Sequence, residues 1–365
     1  MDSKPDISIY LRLLYGGGAE RVMVNLMHGF VKRGLKVELV VNTVAGPYLD
    51  QVPPQVRIVS LDAPRMIHGL PKLANYLRQR KPKVLLSALH YNNEVALWAK
   101  ILSFDSPRVV VSERNTLSVH AKARKTDKWS PLLAKLFYPF ADNIIAVSNG
   151  VAEDLIKVTG IKSKKIEVIY NPVDEQRLLE KSKETVDHPW FQLESTPVIL
   201  GVGRLEEQKD FPTLIRAFSK VRKQYKSKLV ILGSGSNRKR LETLVDDLNL
   251  GEDVDFLGFA SNPYAYMARA SVFVLSSLWE GLPNVLIEAM FLKTPVVATD
   301  CPSGPRELLD NGKYGKLVPM SDDESMGQAI LESLTSSAVL ADRKWLEKFS
   351  LDSAVSSYLK ALKVS

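Results

Sequence analysis

The chain has 365 residues, of which 45% are hydrophobic and 25% charged, the balance of an ordinary folded protein and not of an extended disordered one. At roughly 100–200 residues per domain the length predicts two domains, and 20 Gly with 20 Pro exclude collagen-like and linker-like chains. A single cysteine, Cys301, excludes an intramolecular disulfide and a cysteine-cluster metal site, and the net charge of +8 points to an anionic partner.

Taken in chain order, short apolar runs alternate with amphipathic stretches. Strands are predicted at 7–14, 37–41, 56–61, 84–89, 109–111, 144–147 and 166–169. Helices are predicted between several of them, at 19–32, 70–79, 93–102 and 151–158. Residues 171–197 break the pattern with mixed charge and the loop-like Asp187-His188-Pro189-Trp190, and read as a linker with a short helix. Alternation resumes with strands at 198–202, 229–232, 254–256, 272–275 and 296–298. Helices at 211–222, 238–248, 262–268, 284–292 and 325–335 separate or follow them, and a last amphipathic helix covers 350–362. Strand–helix alternation predicts doubly wound α/β domains with parallel sheets. The expected division is a Rossmann-like domain over 1–170, a linker over 171–196 and a second such domain over 197–345. In such sheets ligands bind beyond the carboxyl ends of the strands, so functional residues are expected in loops after strands, facing an interdomain cleft.

No run reaches the roughly 18 apolar residues of a bilayer span. The N-terminal apolar run is broken by Arg12 and enters a glycine turn, unlike a signal peptide. A cytoplasmic protein is expected, peripherally associated with the inner face of the cell membrane. The charge is uneven: residues 1–170 hold 25 Lys/Arg against 14 Asp/Glu, and the remainder 24 against 27. Part of the excess lies in 121–140, where Lys122, Arg124, Lys125, Lys128 and Lys135 stand among Trp129, Leu132, Leu136 and Phe137. Cations beside aromatics suit anionic headgroups; the alternative is a solvated helix packed on its domain. Nucleic acid is disfavoured, because no binding motif or stacking array is present.

Three constellations carry chemistry. Gly16-Gly17-Gly18 follows the first strand and opens a helix, where glycine permits close backbone approach and the helix end attracts an anion. It is neither G-x-G-x-x-G nor a Walker loop, and a plain tight turn is the alternative. Gly201-Val202-Gly203-Arg204, with Lys209 downstream, offers two cations for a diphosphate. Trp279-Glu280-Gly281-Leu282-Pro283-Asn284-Val285 sets a carboxylate before a helix whose first turn holds Pro283, and Glu288 follows on the second turn. That combination suits a ligand that is half diphosphate and half sugar. Asp253-x-Asp255 is a weaker metal candidate, and no histidine pair has ligand spacing. Cys301 reads as a loop thiol.

Together these residues resemble the retaining nucleotide-sugar glycosyltransferases of family four, with the GT-B fold, and within them bacterial enzymes of lipid-linked glycans or surface polysaccharides. The resemblance implies that Arg204 and Lys209 hold the donor diphosphate and that the amides of Leu282, Pro283's neighbour Asn284, and Val285 meet the phosphate and transferred sugar. Glu280 would contact that sugar, Glu288 the ribose, and Gly203 and Phe259 the nucleotide. Gly17 and Gly18 would close on the phosphates. The final helix, about 346–365, would return to the first domain. Where many members carry a histidine this chain has Arg114, a candidate contact to acceptor phosphate or donor sugar. The implied activity moves a hexose or N-acetylhexosamine from a nucleotide sugar, with UDP favoured, to a polyprenyl-diphosphate-linked acceptor. No cofactor and no metal are expected. Lys209, at a cleft edge, is expected to tolerate Ala with little loss of fold. The rival readings are a non-hydrolysing sugar-nucleotide epimerase and a non-catalytic sugar-nucleotide binder.

Overall fold

The computed structural model describes residues 4–364 apart from 16, 105–106, 124–126, 193–195 and the side chain of residue 67. The chain divides into two compact units, Met1–Val173 with Lys348–Ser365, and Asp174–Glu347. Each is built on one sheet covered by helices, and all strand pairings among the described residues are parallel.

The first sheet holds β1 (Ile7–Leu11), β2 (Val37–Val41), β3 (Arg57–Ser60), β4 (Val84–Ala88), β5 (Arg108–Glu113), β6 (Asn143–Ala146) and β7 (Ile166–Val168), in the order β3-β2-β1-β4-β5-β6-β7. The second holds β8 (Val198–Val202), β9 (Lys228–Leu232), β10 (Val254–Gly258), β11 (Val272–Leu275), β12 (Val296–Thr299) and β13 (Lys316–Val318), in the order β10-β9-β8-β11-β12-β13. Helices cover both faces, so the central strands are buried throughout and several read as continuous apolar runs, such as Val272–Leu275. Strand order reverses between β1 and β4 in the first sheet and between β8 and β11 in the second.

The final helix, Leu351–Leu362, belongs to the first unit. Val173 N–H donates to Phe349 O at 2.8 Å, and Leu351 N–H to Val173 O at 3.1 Å, which tethers its start. At its end Arg108 caps two carbonyls, those of Leu362 and Ala361, each at 3.0 Å. Between these points Tyr358 is buried edge-on to Phe30. The helix Gly18–Lys32 approaches so closely that a Cβ on Gly29 would lie 2.2 Å from Val355 Cγ2.

Several expectations shift. The first strand stops at Leu11, because Arg12 O accepts from Asn42 N–H and Leu14 N–H turns to Ala45 O. Residues expected as a linker join the second unit from Asp174 onward. They carry the helix Glu175–Ser182 and are fastened by Asn262, which donates to Lys181 O, and Arg269, which donates to Ser182 O. Strand β13 and the helices Leu117–Ala123 and Ser130–Phe137 were not anticipated as separate elements.

Gly29→Ala brings about 1 kcal/mol of helix propensity but overpacks a site whose strain costs about 1–3 kcal/mol. We expect a net destabilisation in denaturant unfolding. Combining it with Val355→Ala should cost less than the two single changes together, and strict additivity would remove the clash as the cause.

Candidate active site

The strand-order reversal of the second sheet places the loops after β8 and β11 side by side, and these loops carry the cations and the first carboxylate. Lys209 Nζ meets Glu280 Oε1 at 2.5 Å, with only 14% and 8% of the two side chains exposed. Ser277 Oγ donates to the same carboxylate oxygen at 2.7 Å. The two loops are further stitched by hydrogen bonds to backbone carbonyls. Leu278 N–H donates to Gln208 O at 2.8 Å, Gln208 Nε2 to Trp279 O at 2.9 Å, and Ser276 Oγ to Lys209 O at 2.6 Å. Arg204 is exposed and donates to Gln208 Oε1 at 3.1 Å, which sets its guanidinium on the loop that presents Lys209.

Glycines let these loops approach. A Cβ on Gly203 would meet the Lys209 stem at 3.1 Å. Gly233, at φ +143°, would put a Cβ 1.8 Å from Gly203 O, so no other residue fits there. Gly233 N–H in turn donates to Gly258 O at 2.7 Å, which joins the loops after β9 and β10. Phe259 follows, and its ring is largely exposed.

Pro283 takes the N-cap position of the helix Asn284–Phe291, one place before the first turn expected for it. The segment Gly281–Pro283 is buried, Asn284 and Val285 are half-buried in the first turn, and Glu288 is buried one turn on. The positive end of the helix dipole therefore lies at the residues assigned to phosphate. Gly304 and Ser303 buttress this segment. Ser303 Oγ donates to Gly281 O at 2.8 Å, and a Cβ on Gly304 (φ +96°) would sit 2.6 Å from Pro283 Cδ. Cys301 in the same loop is buried, and burial followed by the charge of Glu280 pushes its thiol up, so it stays protonated. Asp253 is committed to Arg222 and Lys228, at 2.7 and 2.8 Å, and Asp255 to His188 at 3.2 Å. Among the described residues no group of three His, Cys, Asp or Glu is placed to hold a metal.

In the first unit, Gly17 is the extended N-cap of the helix that Gly18 opens, and the Glu20 carboxylate folds back to 2.5 Å of where a Gly17 Cβ would be. Gly16 lies outside the described residues. Arg114 stands at the end of β5. It is buried, with its guanidinium hydrogen-bonded to Asn171 and, at 3.4 Å, to Ser112 Oγ. Burial lowers its pKa, and Tyr358 and Glu20 oppose that shift. These contacts tie the end of β5 to Asn171.

A buried carboxyl cluster at the ends of β4 and β5 escaped the sequence reading. Glu113 Oε1 accepts the N–H of Arg114 at 2.9 Å and of Asn115 at 3.2 Å, and its Oε2 accepts Tyr138 Oη–H at 2.6 Å. Asn93 Nδ2 donates to Tyr138 Oη at 3.1 Å. Burial pushes Glu113 up to about 7, against the pull of these hydrogen bonds. Burial, then the charge of Glu113, pushes Glu94 up to about 8. The available signal was position: Glu94 falls on the buried face of its helix, with Asn93 and Leu97.

Of the basic stretch, Lys122, Lys128 and Trp129 are exposed, with Trp129 the N-cap of Ser130–Phe137. Arg124 and Lys125 lie outside the described residues. No helix among the described residues is long and apolar enough to cross a membrane.

Two doubly wound parallel domains with a Lys–Glu pair at a switch point define the class: the fold is that of the GT-B glycosyltransferases. The Anabaena protein HepE in complex with UDP and glucose superposes with a TM-score of 0.81 at 19% identity over 98% of this chain and 99% of its own. The lipopolysaccharide outer core galactosyltransferase WaaB superposes at 0.74, with 20% identity over 98% of each chain. Residues 16–177 match Glycosyltransferase Family 4 and residues 182–348 match Glycosyl transferases group 1. The chain belongs to the family-four glycosyltransferases.

Among relatives, a Campylobacter jejuni 4-alpha-N-acetylgalactosaminyltransferase named for N-acetylgalactosamine-N,N'-diacetylbacillosaminyl-diphospho-undecaprenol is 37% identical over 243 residues, 66% of this chain and 64% of its own length. An uncharacterised Methanocaldococcus jannaschii glycosyltransferase is 32% identical over 65% of this chain and 60% of its own length. The matched stretch is thus under two thirds of each of those two relatives. The lipopolysaccharide core biosynthesis glycosyltransferase LpsE of Rhizobium meliloti is 28% identical over 95% of this chain and 96% of its own length.

Because Lys209 and Glu280 are buried together, Lys209→Ala is not expected to be structurally silent, contrary to the sequence-based expectation. Removing one partner of a buried pair costs roughly 3–5 kcal/mol. Adding Glu280→Gln should recover part of that loss in denaturant unfolding, and a double variant no better than Lys209→Ala would refute the coupling.

The raised carboxyls predict a pH effect of defined sign. The folded chain holds these protons more tightly than the unfolded one. The stabilisation is therefore full below the unfolded carboxyl range and is lost as pH rises through about 7 for Glu113 and about 8 for Glu94. The first unit should melt lower at alkaline than at mildly acidic pH, and Glu94→Gln should flatten that fall. An unchanged slope in the variant would contradict the assignment.

Proposed function

We propose that the chain is a retaining glycosyltransferase. It moves a hexose or N-acetylhexosamine from a nucleotide diphosphate sugar, with UDP the favoured nucleotide, to a lipid-linked oligosaccharide or surface-polysaccharide precursor. The observation that carries this reading is the Lys209–Glu280 pair at the switch point of the second sheet, with Arg204 on the same loop. The UDP and glucose bound to HepE support the donor class, and the C. jejuni relative's name supports a polyprenyl-diphosphate acceptor.

In this reading the bond between the anomeric carbon and the diphosphate oxygen breaks, and its electron pair passes to the phosphate. Arg204, the Lys209 ammonium and the N-terminus of Asn284–Phe291 stabilise that charge, and they are already in place before it develops. Glu280 fixes Lys209 and meets the hydroxyls of the transferred sugar, and Glu288 takes the ribose. The acceptor oxygen attacks from the face the nucleotide leaves. Its proton goes to the departing phosphate oxygen, so configuration is retained without an enzymic nucleophile or a metal.

The test pairs binding with turnover in the presence of EDTA. A nucleotide that binds only the folded state adds about 2.7 kcal/mol of stability at 100 times its Kd. We expect UDP to raise the melting temperature more than GDP or ADP. We also expect transfer from a UDP-sugar to an undecaprenyl-diphosphate glycan to give a product whose anomeric configuration matches the donor by NMR. Inverted product would overturn the mechanism, and absence of both nucleotide binding and transfer would overturn the reading.

A further inference from the structure

The first unit carries large apolar side chains on its surface in one place that its core does not require. Helix His90–Ser103 buries Asn93, Ala96 and Leu97 and turns Trp98, Ile101 and Leu102 outward at i, i+3 and i+4. Phe104 follows as its left-handed C-cap. Helix Ser130–Phe137 repeats the arrangement: Ser130 and Ala134 are buried, while Trp129, Leu132 and Leu136 face solvent, continued by Phe140. These outward side chains are between 40% and 87% exposed.

The two helices present a single surface. The Trp98 ring meets the Phe137 ring edge-on at 5.1 Å. Lys100 Nζ, on the first helix, donates to Phe140 O at 3.1 Å and to the Asp142 carboxylate at 2.6 Å, which anchors the end of the second. Lys128 and Lys135 are exposed on the same stripe as Leu132 and Leu136. Neither 98–104 nor 128–140 contains an Asp or Glu.

Large apolar patches are rarely left open to water, so this one has an occupant. Its charge identifies the occupant's chemistry. A second copy would bring the same lysines against it, and like charges across an interface oppose association. An anionic phospholipid surface has acyl chains for the apolar groups, an interfacial layer for the two indoles and phosphates for the lysines.

We propose that the outer faces of His90–Ser103 and Ser130–Phe137 together form the docking surface for an anionic bilayer, with the apolar side chains entering the headgroup boundary and Lys128 and Lys135 at the lipid phosphates. The inference rests on the lipid-linked acceptor reading for its purpose, but vesicle binding requires no turnover and is measured separately.

The full chain is co-sedimented with vesicles of phosphatidylglycerol and phosphatidylethanolamine, and with phosphatidylcholine alone. The expected result is binding to the anionic vesicles only. Ile101→Ser/Leu132→Ser/Leu136→Ser should lose on the order of tenfold or more in partitioning, and Lys128→Ser/Lys135→Ser on the order of tenfold at low salt. Both variants should keep the wild-type melting temperature, because the replaced groups are exposed. Vesicle binding equal to wild type in the apolar variant, or no vesicle binding by wild type, overturns the proposal. A lipid-free dimer in sedimentation velocity that the apolar variant splits assigns the face to a second copy instead. Turnover on a detergent-solubilised acceptor, measured on the same three proteins, reports on the transfer reading alone: its loss in wild type sinks that reading, and its retention in the apolar variant shows that lost vesicle binding is a defect of the surface.

Discussion

A parallel sheet buried on both faces leaves polar chemistry few places to stand. Strand interiors are apolar, the helices cover the faces, and the backbone ladder consumes the amides of each strand. Charged side chains can gather where strands end and the chain must turn. In this protein the constraint acts twice, once in each unit: the ends of β8 and β11 in one and of β4 and β5 in the other each gather a cluster of buried charge, while Glu38 within β2 is buried against Arg80.

The two clusters solve burial differently. In the second unit a carboxylate is compensated by an ammonium at 2.5 Å and a hydroxyl at 2.7 Å. That arrangement fixes the Lys209 ammonium against the loop after β11. In the first unit burial raises both Glu94 and Glu113, the charge of Glu113 raises Glu94 further, and the protein responds by holding protons there. Glu113 nevertheless organises the turn after β5, through the amides of Arg114 and Asn115, while Arg114 itself spends its guanidinium inside the unit.

Close backbone contact supports the site in the second unit. Gly233, Gly235 and Gly304 each stand where a Cβ would strike a neighbouring loop, so the loops after β8 and β9, and those after β11 and β12, pack closely against each other. Cys301 and Ser303 belong to the loop that backs the Gly281–Pro283 segment, which gives the DCPSGPREL stretch a mechanical role.

Much of this was legible in the order of residues. Alternating apolar runs and amphipathic stretches express local hydrogen bonding and one-dimensional burial, so most strands of both sheets, the helix at 284 and the glycine turns could be read directly. Short β13 has too little apolar length to stand out, and the segment after 171 reads as a linker because the contacts that fasten it lie some 80 residues away, at Asn262 and Arg269. The motif residues Arg204, Lys209, Glu280 and Glu288 were identifiable by type and spacing. That Lys209 and Glu280 form a buried pair, that Arg114 is buried, that Glu94 is buried within reach of the charge of Glu113, and that Trp98 joins Phe137 to make one apolar surface were not. Each depends on strand order and helix packing, which join residues far apart in sequence, and the free energy of a charge is set by what surrounds it in three dimensions.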